Sequence, residues 1–186
     1  MKFQLDFQIP ESSSKLKHGD SIVLLGSCFS DNLAPKFENA GFKVCSNPLG
    51  TIFHPSAIAT AISDALDGNF EAMPVQAGEI WCDWRASSAI SGYSEEELAS
   101  NIKVALTDLR EALSTAKLVV ITFGTALGFL HEKVGLVGNC HKQPQRDFLQ
   151  QWSGPESIYN EWEKVVEKIR EINPDVQFVF TVSPVR

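Results

Sequence analysis

Reactive side chains gather at Gly26-Ser27-Cys28-Phe29-Ser30, directly after the apolar run Ser21-Ile22-Val23-Leu24-Leu25. Gly26 permits a tight turn, and a helix starting just beyond it aims backbone N–H groups at its own first turn. An oxygen or sulfur nucleophile placed there sits in a positive field, which lowers a thiol pKa and stabilises a developing oxyanion. Ser27 and Cys28 both occupy that turn. The same residues also suit a plain structural role, with Gly26-Ser27 as a helix cap and Cys28 as a small buried hydrophobe. Taken alone, the pentapeptide leaves both readings open.

A sheet must position this turn. The run at 21–25 is short, continuous and apolar, the pattern of a strand buried on both faces. Asp31 to Ala40 places Leu33, Phe37 and Ala40 at helical spacing and ends at Gly41. Phe42-Lys43-Val44-Cys45 is the next strand, and Ser46-Asn47-Pro48-Leu49-Gly50-Thr51 is turn chemistry. Pro55 to Leu66 repeats Ile58, Ala61, Ile62 and Ala65 on one helical face. Residues 69–93 are an irregular aromatic stretch carrying Trp81, Trp84 and Tyr93. Ser94 and Glu97 form a capping box that opens a helix running to Ala116. Leu118 to Phe123 is the clearest strand, halted at Gly124, and a polar loop then runs through Asn139-Cys140-His141-Lys142-Gln143-Pro144. Pro155 to Ile172 is an amphipathic helix ended by Asn173-Pro174, and Val176 to Val182 is the last strand. Residues 1–20 are an extended lead-in with a polar loop at Glu11-Ser12-Ser13-Ser14.

Strands alternating with helices predict an α/β three-layer sandwich with a central, mostly parallel sheet. No internal repeat or low-complexity linker divides the chain, so residues 1–186 read as a single domain. Ligands in such folds sit outside the carboxyl ends of the strands. Three of those ends carry small and polar residues: Gly26-Ser27-Cys28, Asn47-Pro48-Leu49-Gly50 and Gly124-Thr125.

Bulk properties narrow the function classes. With 186 residues the chain should bury about 70% of its unfolded surface, enough for a core without staples. A net charge of −7 argues against a nucleic-acid partner, which would need phosphate neutralisation. No window approaches the roughly 20 apolar residues of a membrane span, and residues 1–7 alternate apolar and polar, unlike a signal peptide. Cys28, Cys45, Cys82 and Cys140 are widely scattered without a CxxC pair, so reduced thiols in the cytoplasm are expected. Neither a metal site nor a cofactor is expected. His18 and His131 lie in polar loops and receive no role; His54 stands at a helix entrance and reads as structural. Trp81 and Trp84 could line a pocket for an acyl group or a sugar, although buried aromatics are more often core.

The pentapeptide is similar to the signature that names the bacterial GSCFA family, with Ser30 in place of alanine. Further stretches resemble the family in order: Asn47-Pro48-Leu49-Gly50-Thr51-Ile52, Thr122-Phe123-Gly124-Thr125-Ala126, Asn139-Cys140-His141-Lys142-Gln143-Pro144 and Thr181-Val182-Ser183-Pro184-Val185-Arg186. The matches span residues 22 to 186. The resemblance implies an SGNH-hydrolase (GDSL-like, flavodoxin-like) fold and, by extension, hydrolysis of an ester or acyl group.

Laid on the Gly-Asp-Ser motif of those hydrolases, Cys28 takes the nucleophile position, with Ser27 as its rival if the turn shifts by one residue. The resemblance places an oxyanion-hole glycine at Gly50 and the third-motif glycine at Gly124, followed by Thr125. The asparagine expected two residues after that glycine is Ala126, which leaves the usual oxyanion hole short of a donor. Asn139 could donate in its place, and His141 could bind substrate or shuttle protons; each could equally order its loop. Arg186, at the last strand end, would bind an anionic substrate in the intact family. SGNH enzymes end with Asp-x-x-His, which supplies the general base, and no such spacing follows Thr122. The chain is therefore expected to be the N-terminal part of a longer domain, with its sheet incomplete at the C-terminus and an exposed edge through which a homodimer could form. The expected partner is a small-molecule, carbohydrate or acyl substrate. The alternative function is a catalytically inert module that binds such a ligand on the same fold.

Overall fold

Alternation of apolar residues along β1 (Ser21–Gly26) sends Ile22 and Leu24 to one face of a sheet and Val23 and Leu25 to the other. Both faces are covered, which is why the run is continuously apolar. The computed structural model describes residue 11 and residues 15–183. Most of the lead-in before residue 15, and Arg186, lie outside the described residues.

After β1 the chain forms α1 (Cys28–Asn39), β2 (Lys43–Ser46) and α2 (Pro55–Asp67). Three short strands follow, β3 (Pro74–Ala77), β4 (Ile80–Asp83) and β5 (Ser91–Gly92). Then come α3 (Glu95–Thr115), β6 (Ala116–Phe123), β7 (Leu127–His131) and β8 (Gly135–Val137). β9 (Phe148–Trp152), α4 (Pro155–Ile172) and β10 (Gln177–Val182) complete the order. The central sheet has the order β10-β6-β1-β2 and every pairing in it is parallel.

Helix α1 covers one face through Leu33, Ala34 and Phe37 against Ile22, Leu24 and Val120. Helices α2, α3 and α4 cover the other, where Ile58, Ile62, Leu106, Leu109, Trp162 and Ile169 meet Val23, Leu25, Val119 and Ile121. This is the three-layer α/β arrangement read from the sequence. Each fully buried Leu or Ile contributes about 1.5–3 kcal/mol of transfer free energy, so the larger core on the second face dominates stability.

Two regions depart from the sequence reading. Residues 69–93, read as irregular, contain the antiparallel β3-β4-β5 sheet, and the polar loop after Gly124 contains the antiparallel β8-β7-β9 sheet. The first is locked by Arg85, whose Nε and Nη2 donate to Asp83 at 3.0 and 2.9 Å and whose Nη1 donates to Asp64 of α2 at 2.8 Å. Asp83 is fully buried, so removing either partner would strand a charge at a cost of about 3–5 kcal/mol. The capping box of α3 is half closed. Ser94 Oγ accepts the Glu97 N–H at 3.2 Å, but the Glu97 carboxylate reaches the Tyr93 N–H at 2.7 Å rather than that of Ser94.

Among the described residues no helix is long and apolar enough to cross a membrane. β10 pairs only with β6 there and shows Val179, Phe180 and Val182 to solvent.

Candidate functional site

Gly26 closes β1 with a φ of +115°, and a side chain at that position would put its Cβ 2.1 Å from the carbonyl oxygen of Thr122. Only glycine can end the strand this way, because the backbone of β6 passes directly alongside. The Ser27 N–H donates to that same Thr122 oxygen at 3.1 Å, which fixes the turn against the neighbouring strand. Ser27 is the N-cap of α1: its Oγ accepts the Phe29 N–H at 3.3 Å and the residue is 1% exposed. Cys28 is the first helical residue and is exposed. Its amide, at the helix start, has no intrahelical acceptor.

The turn opens on a cavity of about 500 Å³ at the carboxyl ends of the parallel strands. Ser27 and Cys28 enter its wall from the end of β1, Gly124 and Thr125 from the end of β6, and Ser183 from the end of β10. Much of the remaining lining is apolar. Leu127, Gly128 and Phe129 come from β7, Val137 and Gly138 from the end of β8, and Phe53 from the segment before α2. No Asp, Glu, Lys or Arg belongs to this wall among the described residues.

His54 also lines the cavity. It is the N-cap of α2, with Nδ1 accepting the Ser56 N–H at 3.1 Å. Nε2 therefore carries the proton, and it lies 3.2 Å from the Ala126 carbonyl oxygen and 3.3 Å from Ser153 Oγ. Burial pushes the His54 pKa below its ordinary value, against the opposing pull of the Ala126 carbonyl and the Glu161 charge. The helix-entrance role read from the sequence is thus seen; its place in the cavity wall was not read. The nearest available signal was position, since His54 directly precedes the α2 proline in the segment that follows β2.

The remaining sequence candidates stand outside the wall of this cavity. Asn47, in a left-handed conformation with φ of +41°, accepts the Gly26 N–H on Oδ1 at 2.8 Å and donates from Nδ2 to Asp31 Oδ1 at 2.8 Å. Asp31 also accepts from Thr51 Oγ1 at 2.9 Å and from Ser46 Oγ at 3.3 Å, tying the loop after β2 onto α1. Gly50 has a φ of +74°, and its N–H donates to the Asn47 carbonyl at 2.6 Å, so this amide is engaged inside its own turn. The Gly124 N–H is likewise engaged, by the Phe53 carbonyl at 2.9 Å.

His141 is 3% exposed and left-handed, with φ of +47°. Its Nε2 meets the Asp83 carbonyl oxygen at 2.8 Å, its Nδ1 meets Ser88 Oγ at 3.1 Å, and its N–H donates to Asn139 Oδ1 at 2.8 Å. His141 therefore fastens the loop to β4, and Asn139 holds the His141 backbone within the loop. Burial lowers the His141 pKa, against the Asp83 carbonyl and carboxylate. Trp84 is buried and stacks on His131 at 4.8 Å, and Trp81 packs against the main core. The other cysteines are less accessible than Cys28: burial pushes Cys45 up to about 11 and raises Cys82 and Cys140 as well.

The model of the GSCFA family matches residues 21–186. No curated protein and no solved structure matches the chain.

Proposed function

The chain belongs to the GSCFA family, and from that premise we propose that it is an SGNH-like hydrolase of an ester or acyl-group substrate with Cys28 as nucleophile. Accessibility carries the choice of atom. Cys28 is exposed and lines the cavity at the first turn of α1, whereas the Oγ of Ser27 is buried and engaged by the Phe29 amide. In the first step Cys28 Sγ attacks the acyl carbonyl carbon, the bond to the leaving oxygen breaks, and the thiol proton passes to that oxygen. Water then cleaves the thioester, releasing the carboxylic acid and restoring the thiol. The Cys28 N–H and the α1 dipole face the oxygen that becomes negative. Iodoacetamide followed by peptide mapping tests the assignment: alkylation should fall on Cys28 and disappear in Cys28→Ala, and an unlabelled Cys28 beside a labelled Ser27 under a fluorophosphonate would reverse it.

A second reading, a ligand-binding module without turnover, is favoured by the polar groups already engaged. The Gly50 and Gly124 amides have backbone acceptors, both ring nitrogens of His54 have partners, and Ala126 stands where SGNH hydrolases carry the oxyanion-hole asparagine. Saturable ligand binding that survives Cys28→Ala, with no hydrolysis across an ester panel, would identify it.

A further inference from the structure

We propose that the cavity beside Cys28 takes the acyl side of the substrate, and that this acyl group is uncharged, apolar and longer than acetyl. The proposal rests on reading Cys28 as the nucleophile and names the chemistry that the neighbouring wall selects.

The cavity is lined by two kinds of residue. The ends of the parallel strands supply Ser27, Cys28, Thr125 and Ser183, which carry the polar and reactive atoms. β7 and β8 supply Leu127, Phe129 and Val137, and Phe53 joins them from the segment before α2. An ester whose carbonyl lies at Cys28 therefore has apolar side chains lining the same cavity. Two of the glycines that line the cavity are there for close packing rather than for spare room. A Cβ at Gly124 would meet the Phe53 ring at 2.6 Å, and one at Gly128 would meet Leu136 Cδ1 at 2.6 Å and His54 Nε2 at 3.2 Å.

Energetics separate the candidate ligands. A sugar buried here would lose water from several hydroxyls, which weakens binding about 5- to 150-fold for each one left unpartnered. A carboxylate or ammonium would find no oppositely charged side chain in the wall among the described residues. Each methylene of an aliphatic acyl group gains about 0.8 kcal/mol, which is about fourfold in rate or affinity. A cavity of about 500 Å³ lies within the size range of small-molecule sites.

The test compares alkylation rates at Cys28 for a series of N-alkyl iodoacetamides from N-ethyl to N-octyl, with glutathione as the reference thiol. The second-order rate at Cys28 should climb about fourfold per methylene over the first few carbons, relative to glutathione. The octyl-to-ethyl ratio should collapse in Leu127→Asp and in Phe53→Ser, each checked for unchanged far-UV dichroism; Phe53 is 45% exposed, so that second variant tolerates the change. A flat series at a Cys28 that does react overturns the acyl pocket and leaves the nucleophile standing. If Cys28 reacts with none of the reagents, the nucleophile reading falls, and calorimetry with decanamide and arabinose decides the pocket separately. Saturable decanamide binding that Leu127→Asp removes supports an apolar site, whereas arabinose binding or no binding to either ends it.

Discussion

Asn47 Oδ1 accepts the Gly26 backbone N–H at 2.8 Å, so a side chain after β2 holds the last residue of β1 in place. The same side chain donates to Asp31 on α1, three residues beyond Cys28. The cysteine turn is therefore clasped from outside the cavity. Asn47→Ala should cost about 1–3 kcal/mol, since a buried amide loses its acceptor at a left-handed position. Asn47→Asp should also destabilise at neutral pH, because its carboxylate would face Asp31, and the loss should shrink as pH falls through the carboxylate range. Adding Asp31→Asn restores a donor–acceptor pair, so the double variant should regain most of the stability. Urea unfolding of wild type, Asn47→Asp, Asp31→Asn and the double variant measures the coupling.

Ser30 is fully buried and its Oγ has no hydrogen-bond partner among the described residues. The family signature has alanine at this position. Ser30→Ala removes an unsatisfied hydroxyl and should raise stability by about 1 kcal/mol. For a chain of this size that is a rise of about 2–4 °C in Tm. A loss of stability in calorimetry would mean that the hydroxyl has a partner in solution.

Burial lowers the pKa of both His54 and His141. The unfolded chain then binds protons that the folded chain does not, so the stability from these sites is complete above the unfolded value of about 6.5. It is lost as pH falls from there through the lowered folded values. His54→Gln and His141→Gln should each be less stable than wild type at pH 7.5, with the gap narrowing by pH 5. Thermal unfolding across that range measures it, and a gap that widens on acidification would contradict the assignment.

The parallel sheet and its helices were legible because their signals are redundant. Ile22 to Leu25 and Val119 to Ile121 are buried on both faces and read as continuous apolar runs, while Ser94 and Pro155 mark helix starts. The two antiparallel sheets were missed because their strands are only 2 to 5 residues long, too short for a clear alternation. The Gly78-Glu79 pair between Ala77 and Ile80 was the available hairpin signal for the first. At the site, Ser27, Cys28, Gly124 and Thr125 meet in one cavity because each follows a strand in the same parallel sheet. Asn139 and His141 follow no such strand, and their loop is drawn to β4 by hydrogen bonds that no spacing encodes. Phe53 and Leu127 escaped notice for a related reason: apolar residues beside turns look like core until a cavity shows which side they face.

The assignment of Cys28 as the acyl acceptor is tested most directly by mixing the chain with p-nitrophenyl octanoate, quenching in acid and mapping the acyl adduct by mass. An octanoyl group on Cys28, absent in Cys28→Ala, is the predicted result. An adduct on Ser27, or none on Cys28 while an unrelated exposed thiol is acylated under the same conditions, would contradict it.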